Sequence, residues 1–448
     1  MRLVPERRLL LLALLALPLG AAGFVSREAG ALALGVYVLL AIVALLDLWL
    51  ALGRRIVWQV VPSSVCRFAR RREDVLRVAL QGPAGFRGPL RAGLDFSEAF
   101  VVAHPVCEAV PEGTGGRKVF EWRVLPRQRG LFTFDRLYLE RRSPWGLWAM
   151  RSVEPLTLEV RVYPNLRTQR RGFASLFLRR GLAGMHCVRQ IGKGREFEKL
   201  REYQPGDTYD DISWKATARR GSPVTREMQV ERTQELYLVI DASRLSGRSV
   251  SVAEGGAEDD TMLESFVTMA VLLGMAAEAQ GDLFGVATFT RGLDLLLPAR
   301  GGRAQRNLVQ EALFDLRTER VTPDFSSLFA TLRLRLRRRA LLLFLSDLRD
   351  PVLSESFLEH APLVSRHHLC MVNTVRPSEA EPLFQQKRAP AELGAAYRQV
   401  AGHLAWARLR ELEGSLRQVG FGFAMPRHAD LAVSLLNQYL TVKQRQAL

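Results

Sequence analysis

Cysteine and histidine are scarce in this chain, and the common catalytic motifs are missing from it. Its 448 residues include 4 cysteines and 7 histidines. The cysteines are far apart, with no C-x-x-C pair: Cys66, Cys107, Cys187 and Cys370. This spacing argues against a disulfide framework or a zinc site and favours a reducing compartment. Because no G-x-x-x-x-G-K-[ST], H-E-x-x-H or G-x-S-x-G motif occurs either, we predict a protein that is not an enzyme.

Acidic residues are in the minority, which gives the chain a strongly basic balance. There are 46 Asp and Glu against 63 Lys and Arg, for a formal net charge of +17. Such a surface attracts anionic lipid head groups, nucleic acid or an acidic protein partner, and charge alone does not choose among them. The basic run at Arg333–Arg339 has no nucleic-acid-reading motif beside it and no interleaved aromatic residue. Contact with nucleic acid is therefore the weaker expectation.

Two long apolar runs occupy the first 52 residues, from Leu9 to Val25 and from Ala31 to Leu52. Each is roughly long enough to cross a ~30 Å hydrocarbon core, and five residues separate them, which predicts a transmembrane helical hairpin. Asp47 interrupts the second run near its end, where its side chain is expected to snorkel to the interface. Arginines flank both outer ends: Arg2, Arg7, Arg8, Arg54, Arg55, Arg67, Arg70, Arg71 and Arg72. The positive-inside rule then predicts a multi-pass protein of the bacterial inner membrane with its soluble domains in the cytoplasm.

A different interpretation of the first run remains open. Residues 1–23 have a basic start, a leucine-rich stretch and small residues at 20–23, which also fits a cleaved signal peptide. The second run would then remain as a single anchor.

Patterning divides the chain into four predicted parts: a transmembrane hairpin at 1–55, a β-sandwich at 56–164, a connecting segment at 165–234 and an α/β domain at 235–448. Residues 56–164 hold short Val-, Phe- and Leu-rich stretches between turns, which is typical of an immunoglobulin- or fibronectin-like sandwich. Residues 165–185 combine arginines with Phe and Leu and predict a basic helix. From 235 onward, apolar strands alternate with helical segments and predict a doubly wound, mostly parallel sheet.

Carboxylates follow two of the predicted parallel strands directly. Asp241 and Ser243 come after one strand, and Asp347 comes after another. If these strands are neighbours, the three side chains meet at the carboxyl edge of the sheet and form an all-oxygen set of the kind that Mg²⁺ accepts. The alternatives left open are that Asp241 and Asp347 only cap helices, or that they form the carboxylate pair of a metal-dependent enzyme.

This arrangement resembles the von Willebrand factor A domain, whose metal-ion-dependent adhesion site uses a D-x-S-x-S loop, a threonine and a further aspartate. The resemblance implies a degenerate Mg²⁺ site, because Leu245 stands at the second serine position. Ser246, Thr322 and Asp324 are the further candidate ligands.

A second motif lies upstream, G-K-G-R-E-F-E-K-L-R-E-Y-Q-P-G-D at 192–207, followed by I-S-W-K-A-T-A-R-R at 212–220. It resembles the signature of the bacterial domain-of-unknown-function-58 family, in which such a segment precedes an A-type domain. The sequence departs from that pattern at Asp210, Asp211 and Ser213. Its charged and aromatic side chains suit either a partner surface or an internal latch between domains. The candidate partner-binding residues are Arg195, Glu196, Arg201, Tyr203, Asp207, Trp214 and Arg219.

The family resemblance also implies partners. Its members often accompany MoxR-type AAA+ ATPases, so we expect a membrane-anchored adaptor that works with such an ATPase on a client protein.

Overall fold

The computed structural model describes residues 2–22, 27–53, 58–61, 65–83, 86, 88–112, 116–166, 191–205, 207–229, 234–250, 260–383 and 393–445. The chain forms two compact units, Met1–Asn165 and Leu166–Leu448. The sequence-based prediction of a multi-domain, sheet-rich protein with an apolar N-terminal helix is therefore confirmed. The basic helix predicted at 165–185 falls almost wholly outside the described residues.

Two apolar helices begin the first unit, α1 (Arg7–Ala22) and α2 (Arg27–Gly53). They pack on each other, with the ring of Tyr37 lying against Gly20. In α2 the stretch Gly30–Gly53 is long and apolar enough to cross a membrane, whereas α1 has 16 residues and falls short of the usual length. The structure therefore gives α2 as a candidate span, and a span by α1 stays a prediction.

Eleven strands make up the described sheets of the first unit. They are β1 (Arg2–Pro5), β2 (Gln59–Val60), β3 (Cys66–Ala69), β4 (Asp74–Gln81), β5 (Leu90–Leu94), β6 (Phe100–Val102), β7 (Val106–Glu108), β8 (Val110–Glu112), β9 (Arg117–Pro126), β10 (Gly130–Arg142) and β11 (Trp148–Tyr163). One sheet has the order β1-β11-β10-β5-β7 with β3 beside β11, and the other has β2-β4-β9-β6 with β8 beside β9.

The two sheets enclose a single apolar core. Alternate residues of β4 point into it, namely Leu76, Val78 and Leu80, and Trp122 of β9 lies at its centre. Six Val-, Phe- and Leu-rich stretches predict strands at 57–61, 75–81, 99–102, 119–124, 132–140 and 156–162, which correspond to β2, β4, β6, β9, β10 and β11. The strands β1, β3, β5, β7 and β8 were not predicted. These are short, and β1 is joined directly to the apolar run of α1, which hides its own pattern. The likeness to immunoglobulin domains stays a prediction.

The second unit begins with a two-stranded ribbon and continues into a six-stranded sheet. The ribbon is β12 (Ile191–Glu202) with β13 (Val224–Gln229). The sheet strands are β14 (Glu235–Asp241), β17 (Leu283–Phe289), β18 (Leu293–Arg300), β19 (Leu341–Leu345), β20 (Leu369–Asn373) and β21 (Phe421–Ala424), and a small pair is formed by β15 (Ser249–Val250) and β16 (Asp260–Thr261). The sheet order is β18-β17-β14-β19-β20-β21, and β18 alone runs antiparallel to its neighbour.

Helices cover both faces of this sheet. They are α4 (Met262–Gln280), α5 (Gly302–Leu313), α6 (Phe325–Arg335), α7 (Pro351–His360), α8 (Pro362–Ser365), α9 (Leu393–Gln418) and α10 (Leu431–Arg445). The short helix α3 (Trp214–Arg220) packs against β13 of the ribbon instead. Leu238 and Ile240 of β14 face α4 and α10, while Tyr237 and Val239 face α6, α7 and α9. Since β14 is buried on both faces, its continuous apolar run is explained. Although α4 is long and apolar enough to span a membrane, it is mostly buried and serves as a core helix.

Gly285 of β17 lies where the sheet admits no side chain. A Cβ atom there would be 2.4 Å from Cε1 of Tyr237 and 2.7 Å from the carbonyl oxygen of Leu297. We expect Gly285→Ala to lower the free energy of unfolding of the second unit by about 1–3 kcal/mol through overpacking. Pulse proteolysis of the detergent-solubilised chain in increasing urea measures this.

Gly414→Ala is the matched control, because Gly414 is exposed in the interior of α9 with no atom near its Cβ position. That change should raise stability by about 0.5–1 kcal/mol. Equal effects of the two substitutions would contradict the packing described here.

Candidate functional site

The site lies at the carboxyl edge of the six-stranded sheet, between β14 and β19. The next two strands of this sheet along the chain, β17 and β18, lie on one side of β14. The later strands β19, β20 and β21 lie on its other side. In an open sheet this reversal of strand order opens a crevice at the carboxyl ends of the two strands, where ligands bind. Asp241 ends β14, and Ser346 and Asp347 directly follow β19. The structure therefore brings Asp241, Ser243 and Asp347 together, as the sequence predicted.

Asp241 is fully buried and is held by hydroxyl and amide donors. It accepts hydrogen bonds from the Ser243 amide at 2.8 Å and from Ser346 Oγ at 2.5 Å. Burial raises the pKa of Asp241 to about 6, although the hydrogen bonds from Ser243 and Ser346 lower it, and the charge of Asp347 raises it further. Asp241 therefore changes charge close to neutral pH without contact with water.

Asp347 is also fully buried, but it is paired with two arginines. Its Oδ2 accepts from Arg248 Nη1 at 2.7 Å and from Arg349 Nη2 at 2.6 Å. Its Oδ1 accepts from Arg349 Nε at 2.7 Å and from the Arg349 amide at 3.2 Å. Arg349 thus binds Asp347 bidentately, and both oxygens of the carboxylate are occupied by guanidinium donors.

The serine hydroxyl groups in the loop after β14 form hydrogen bonds with the backbone of that same segment. Ser243 Oγ accepts from the Leu245 amide at 3.3 Å, and Ser246 Oγ donates to the Asp241 carbonyl at 2.5 Å. Both serines and Leu245 are fully buried. Leu245 packs into the core, so an apolar side chain stands where the A-domain pattern has a hydroxyl.

Thr322 and Asp324 lie in the neighbouring loop and have other partners. This loop contacts the β14 loop, since the Arg244 amide donates to the Val321 carbonyl at 3.2 Å. Thr322 Oγ1 accepts from Arg244 Nε at 3.3 Å, and Arg244 also reaches Asp350 at 3.2 Å. Asp324 caps α6 by accepting from the Ser327 amide. Neither residue is hydrogen-bonded to Asp241 or Asp347 in the described network.

The donor set as it stands does not fit a divalent cation well. Mg²⁺ requires several free oxygen ligands in near-octahedral geometry, whereas the carboxylates here are bonded to Ser346, Arg248 and Arg349. Within the described part of the chain, no group of three His, Cys, Asp or Glu side chains is placed to hold a metal ion. A cation at Asp347 would have to displace at least one guanidinium. Mg²⁺ binding at these residues stays a prediction.

The upstream motif forms the β12–β13 ribbon and α3. Arg201 Nη2 donates to Asp207 Oδ1 at 2.6 Å, and Asp207 also accepts from the Gln204 amide at 3.0 Å and from Thr225 Oγ1 at 3.2 Å. The Arg201 guanidinium lowers the pKa of Asp207, and the Gln204 amide adds to this. Arg201 and Asp207, both predicted to bind a partner, therefore form a salt bridge with each other inside the motif.

Other residues of the motif point outward. Trp214 on α3 is 68% exposed, and Arg219 is exposed on the same helix. Tyr203 stacks on Tyr209, which is itself largely exposed. The side chains of Arg195 and Glu196 lie outside the described residues. The motif thus combines an internal salt bridge with an aromatic surface.

Sequence reasoning missed Arg248, Arg349 and Tyr209. Each arginine follows a candidate ligand by two residues, Ser246 and Asp347 respectively. That proximity is the available signal, yet in a chain with 63 Lys and Arg it does not single them out.

The raised pKa of Asp241 predicts a pH-dependent stability. In the unfolded chain an aspartate has a pKa of about 3.9, so between about pH 4 and pH 6 the folded state holds one proton more. Stability therefore falls as pH rises through this window, by an amount on the order of 3 kcal/mol. Asp241→Asn removes this contribution, so its thermal unfolding curves should change less between about pH 4.5 and pH 7 than those of the wild type. Parallel curves for the two proteins would contradict a raised pKa.

Comparison with known proteins finds a family model that matches part of the chain. Residues 199–383 match the family model described as "Protein of unknown function DUF58". The uncharacterized protein Rv1480 of Mycobacterium tuberculosis is 25% identical over 202 residues, which are 45% of this chain and 61% of that protein. The uncharacterized protein YeaD of Bacillus subtilis is 40% identical over 42 residues, 9% of this chain and 11% of that protein. The chain thus spans less than two thirds of the length of these relatives.

Among solved structures, the conserved hypothetical protein BatB from Bacteroides thetaiotaomicron aligns with 47% of this chain and 99% of its own, with a TM-score of 0.31 and 12% identity. From the sequence comparisons alone, residues 199–383 carry a DUF58 family match, and the chain is a distant homologue of uncharacterised mycobacterial proteins.

Proposed function

We propose that this protein is a membrane-anchored adaptor with a von Willebrand factor A-like domain. It binds an acidic partner surface through the loops at the carboxyl edge of the six-stranded sheet, here called the loop edge. The observation that carries the proposal is the pairing of Asp347 with Arg248 and Arg349. The proposed partner is a MoxR-type AAA+ ATPase, and the proposed outcome is the assembly or remodelling of a client protein. In this role the chain recruits and positions, and no bond is broken at its loop edge.

Anchoring is supported by α2, whose apolar stretch is long enough to span a bilayer. The arginines that follow the helix favour the cytoplasm for everything after it under the positive-inside rule. The proposed topology is an inner-membrane hairpin of α1 and α2, with both soluble units in the cytoplasm.

The charges at the loop edge support binding rather than catalysis. Asp241 and Asp347 are fully buried, so a substrate cannot reach either carboxylate. The guanidinium groups of Arg244, Arg248 and Arg349 are partly exposed at the same edge. Each guanidinium has five N–H donors, so donors beyond those used by Asp347 and Asp350 are left for a partner carboxylate. In this proposal the guanidinium groups of Arg248 and Arg349 take the place that a metal ion has in the A-domain site. The buried carboxylate of Asp347 holds them in position.

The exposed aromatic surface of the upstream motif is a second contact in the proposal. Trp214 and Tyr209 are among the most exposed aromatic side chains described in the second unit. Large aromatic residues at an interface bury much area and often carry the binding energy. The Arg201–Asp207 salt bridge holds the ribbon beneath them in one conformation.

A metal-dependent enzyme and a nucleic-acid-binding protein are the alternatives. The raised pKa of Asp241 is the feature that favours an enzyme, because perturbed carboxyls cluster at active sites, but its burial stands against that role. The basic run at 333–339 lies before β19, at the opposite edge of the sheet from Asp241. It would contact phosphates independently of the candidate site.

The test uses the full chain in detergent, immobilised, with the purified MoxR-type ATPase from the same genome as the analyte. We expect the double substitution Arg248→Ala and Arg349→Ala to weaken binding about tenfold or more, because each lost charged hydrogen bond is worth about 1.5–3 kcal/mol. Chelation of divalent ions should leave this interaction unchanged, apart from any need of the ATPase for nucleotide.

Arg338→Ala is the matched control, since Arg338 is 80% exposed and lies at the opposite edge of the sheet. It should change the affinity less than about twofold. Binding that needs Mg²⁺ and Asp241 but not the two arginines would instead support a working metal site. Steeply salt-dependent binding to DNA, lost with Arg338, would favour the nucleic-acid alternative.

A further inference from the structure

Asp47 of α2 is buried against the tip of the β10–β11 hairpin, residues 143–148. It is fully buried and accepts three hydrogen bonds, from Ser143 Oγ at 2.5 Å, the Trp145 amide at 3.0 Å and the Leu147 amide at 3.2 Å. Its position near the end of the apolar run predicts that this side chain snorkels to the interface. The structure instead supplies its donors from the protein, so the hairpin tip takes over the solvation of the carboxylate.

The hairpin also contacts the backbone of α2 on either side of Asp47. Trp148 Nε1 donates to the Ala44 carbonyl at 2.8 Å, and Arg141 Nη2 donates to the Ala51 carbonyl at 3.4 Å. Ala44, Asp47 and Ala51 lie on one face of the helix, and all three are buried. At 1.5 Å per residue this face extends about 10 Å along α2. The hairpin therefore lies along the last two turns of the helix rather than meeting only its end.

The opposite side of α2 at this level is apolar and exposed. Trp49 is 70% exposed, and Leu45 and Leu52 are also exposed. A helix that presents such side chains outward at the level of Asp47 suits a lipid environment there. About 20 residues cross the hydrocarbon core, and counting from Gly30 this places Trp49 at the boundary of the apolar layer. The hairpin tip, level with Asp47, is then at the same depth.

Trp145 is 47% exposed at the hairpin tip. Tryptophan is enriched at the membrane–water interface, where its ring suits the headgroup level. The start of α1 lies at the same place, because the Glu6 amide donates to the Leu147 carbonyl at 2.9 Å and Glu6 pairs with Arg142 at 2.7 Å. The start of α1 and the end of α2 therefore both contact the two β-sheets of the first unit, here called the β-unit, at this tip.

We propose that the tip of the β10–β11 hairpin is a membrane-contact element that rests in the headgroup layer of the phospholipid bilayer, held there by Asp47. Trp145 contacts lipid, and Trp148, Ser143 and the turn amides face the helix. The β-unit then sits directly on the membrane and is not suspended on a tether. The proposal rests on α2 spanning the membrane, and it adds a second, non-helical contact with lipid.

Tryptophan fluorescence in vesicles of phosphatidylcholine and phosphatidylglycerol tests the proposal on the full-length protein. Lipids brominated near the headgroup or near the methyl ends quench a tryptophan according to its depth. The contribution of Trp145 is the difference between the wild type and Trp145→Phe, and that of Trp49 is obtained in the same way. We expect both residues to be quenched, Trp145 more strongly by the shallow bromines than by the deep ones.

Trp49 reports on the membrane anchor, and Trp145 reports on the membrane contact of the hairpin tip. A negative result for one can therefore be told from a negative result for the other. Quenching of Trp49 without quenching of Trp145 would overturn the membrane contact and leave the anchor in place. If neither residue is quenched, the membrane span in the proposed function also fails.

Substitution at Asp47 tests the attachment of the hairpin tip. Asp47→Leu leaves the three donors without an acceptor, so we expect the shallow quenching of Trp145 to fall severalfold while that of Trp49 persists. Asp47→Asn keeps one acceptor oxygen and should give an intermediate value. Near-ultraviolet circular dichroism reports whether the β-unit of each variant is folded. Unchanged quenching in a folded Asp47→Leu protein would refute the role assigned to Asp47.

Discussion

An aspartate that leaves water loses several kcal/mol of hydration free energy unless hydrogen-bond donors replace the solvent. Four fully or almost fully buried aspartates meet this requirement in different ways. Asp47 joins α2 to a β-hairpin, and Asp241 joins the first strand of the α/β sheet to the residue after β19. Asp347 fixes two arginines, and Asp282 holds Tyr439 and Lys443 of α10 beside β17. Each carboxylate therefore links residues that lie about 100 or more positions apart in the chain.

Asp241 and Asp347 are close in space and yet differ in electrostatic character. Asp347 has two cationic partners, whereas Asp241 has a hydroxyl and an amide and feels the negative charge of its neighbour. Neutral donors do not replace hydration as fully as a guanidinium does, which is why the pKa of Asp241 is raised. At about pH 6 Asp241 is therefore partly protonated, and the arginines beside Asp347 account for the basic character of this edge.

The apolar parts of the fold could be predicted from the sequence, and the polar contacts could not. The apolar run Leu341–Leu345 predicts a buried strand because it is too short for a helix and is followed by Ser346 and Asp347, and β19 has these bounds. The meeting of Asp241 and Asp347 followed from the rule for parallel strands. Their partners did not, since the choice of Arg248 and Arg349 depends on loop conformations. Asp47 shows the same limit: its helix was evident, but its donors lie about 100 residues away in the chain.

The pairing of β1 with β11 has a consequence for the order of events during synthesis. Pro5 lies opposite Trp148, so β1 leaves the ribosome about 140 residues before its partner strand exists. During that interval α1 and α2 are synthesised, while Arg2–Pro5 has no partner strand. The pairing of β1 with β11 therefore forms only after both helices and all the strands between them have been synthesised.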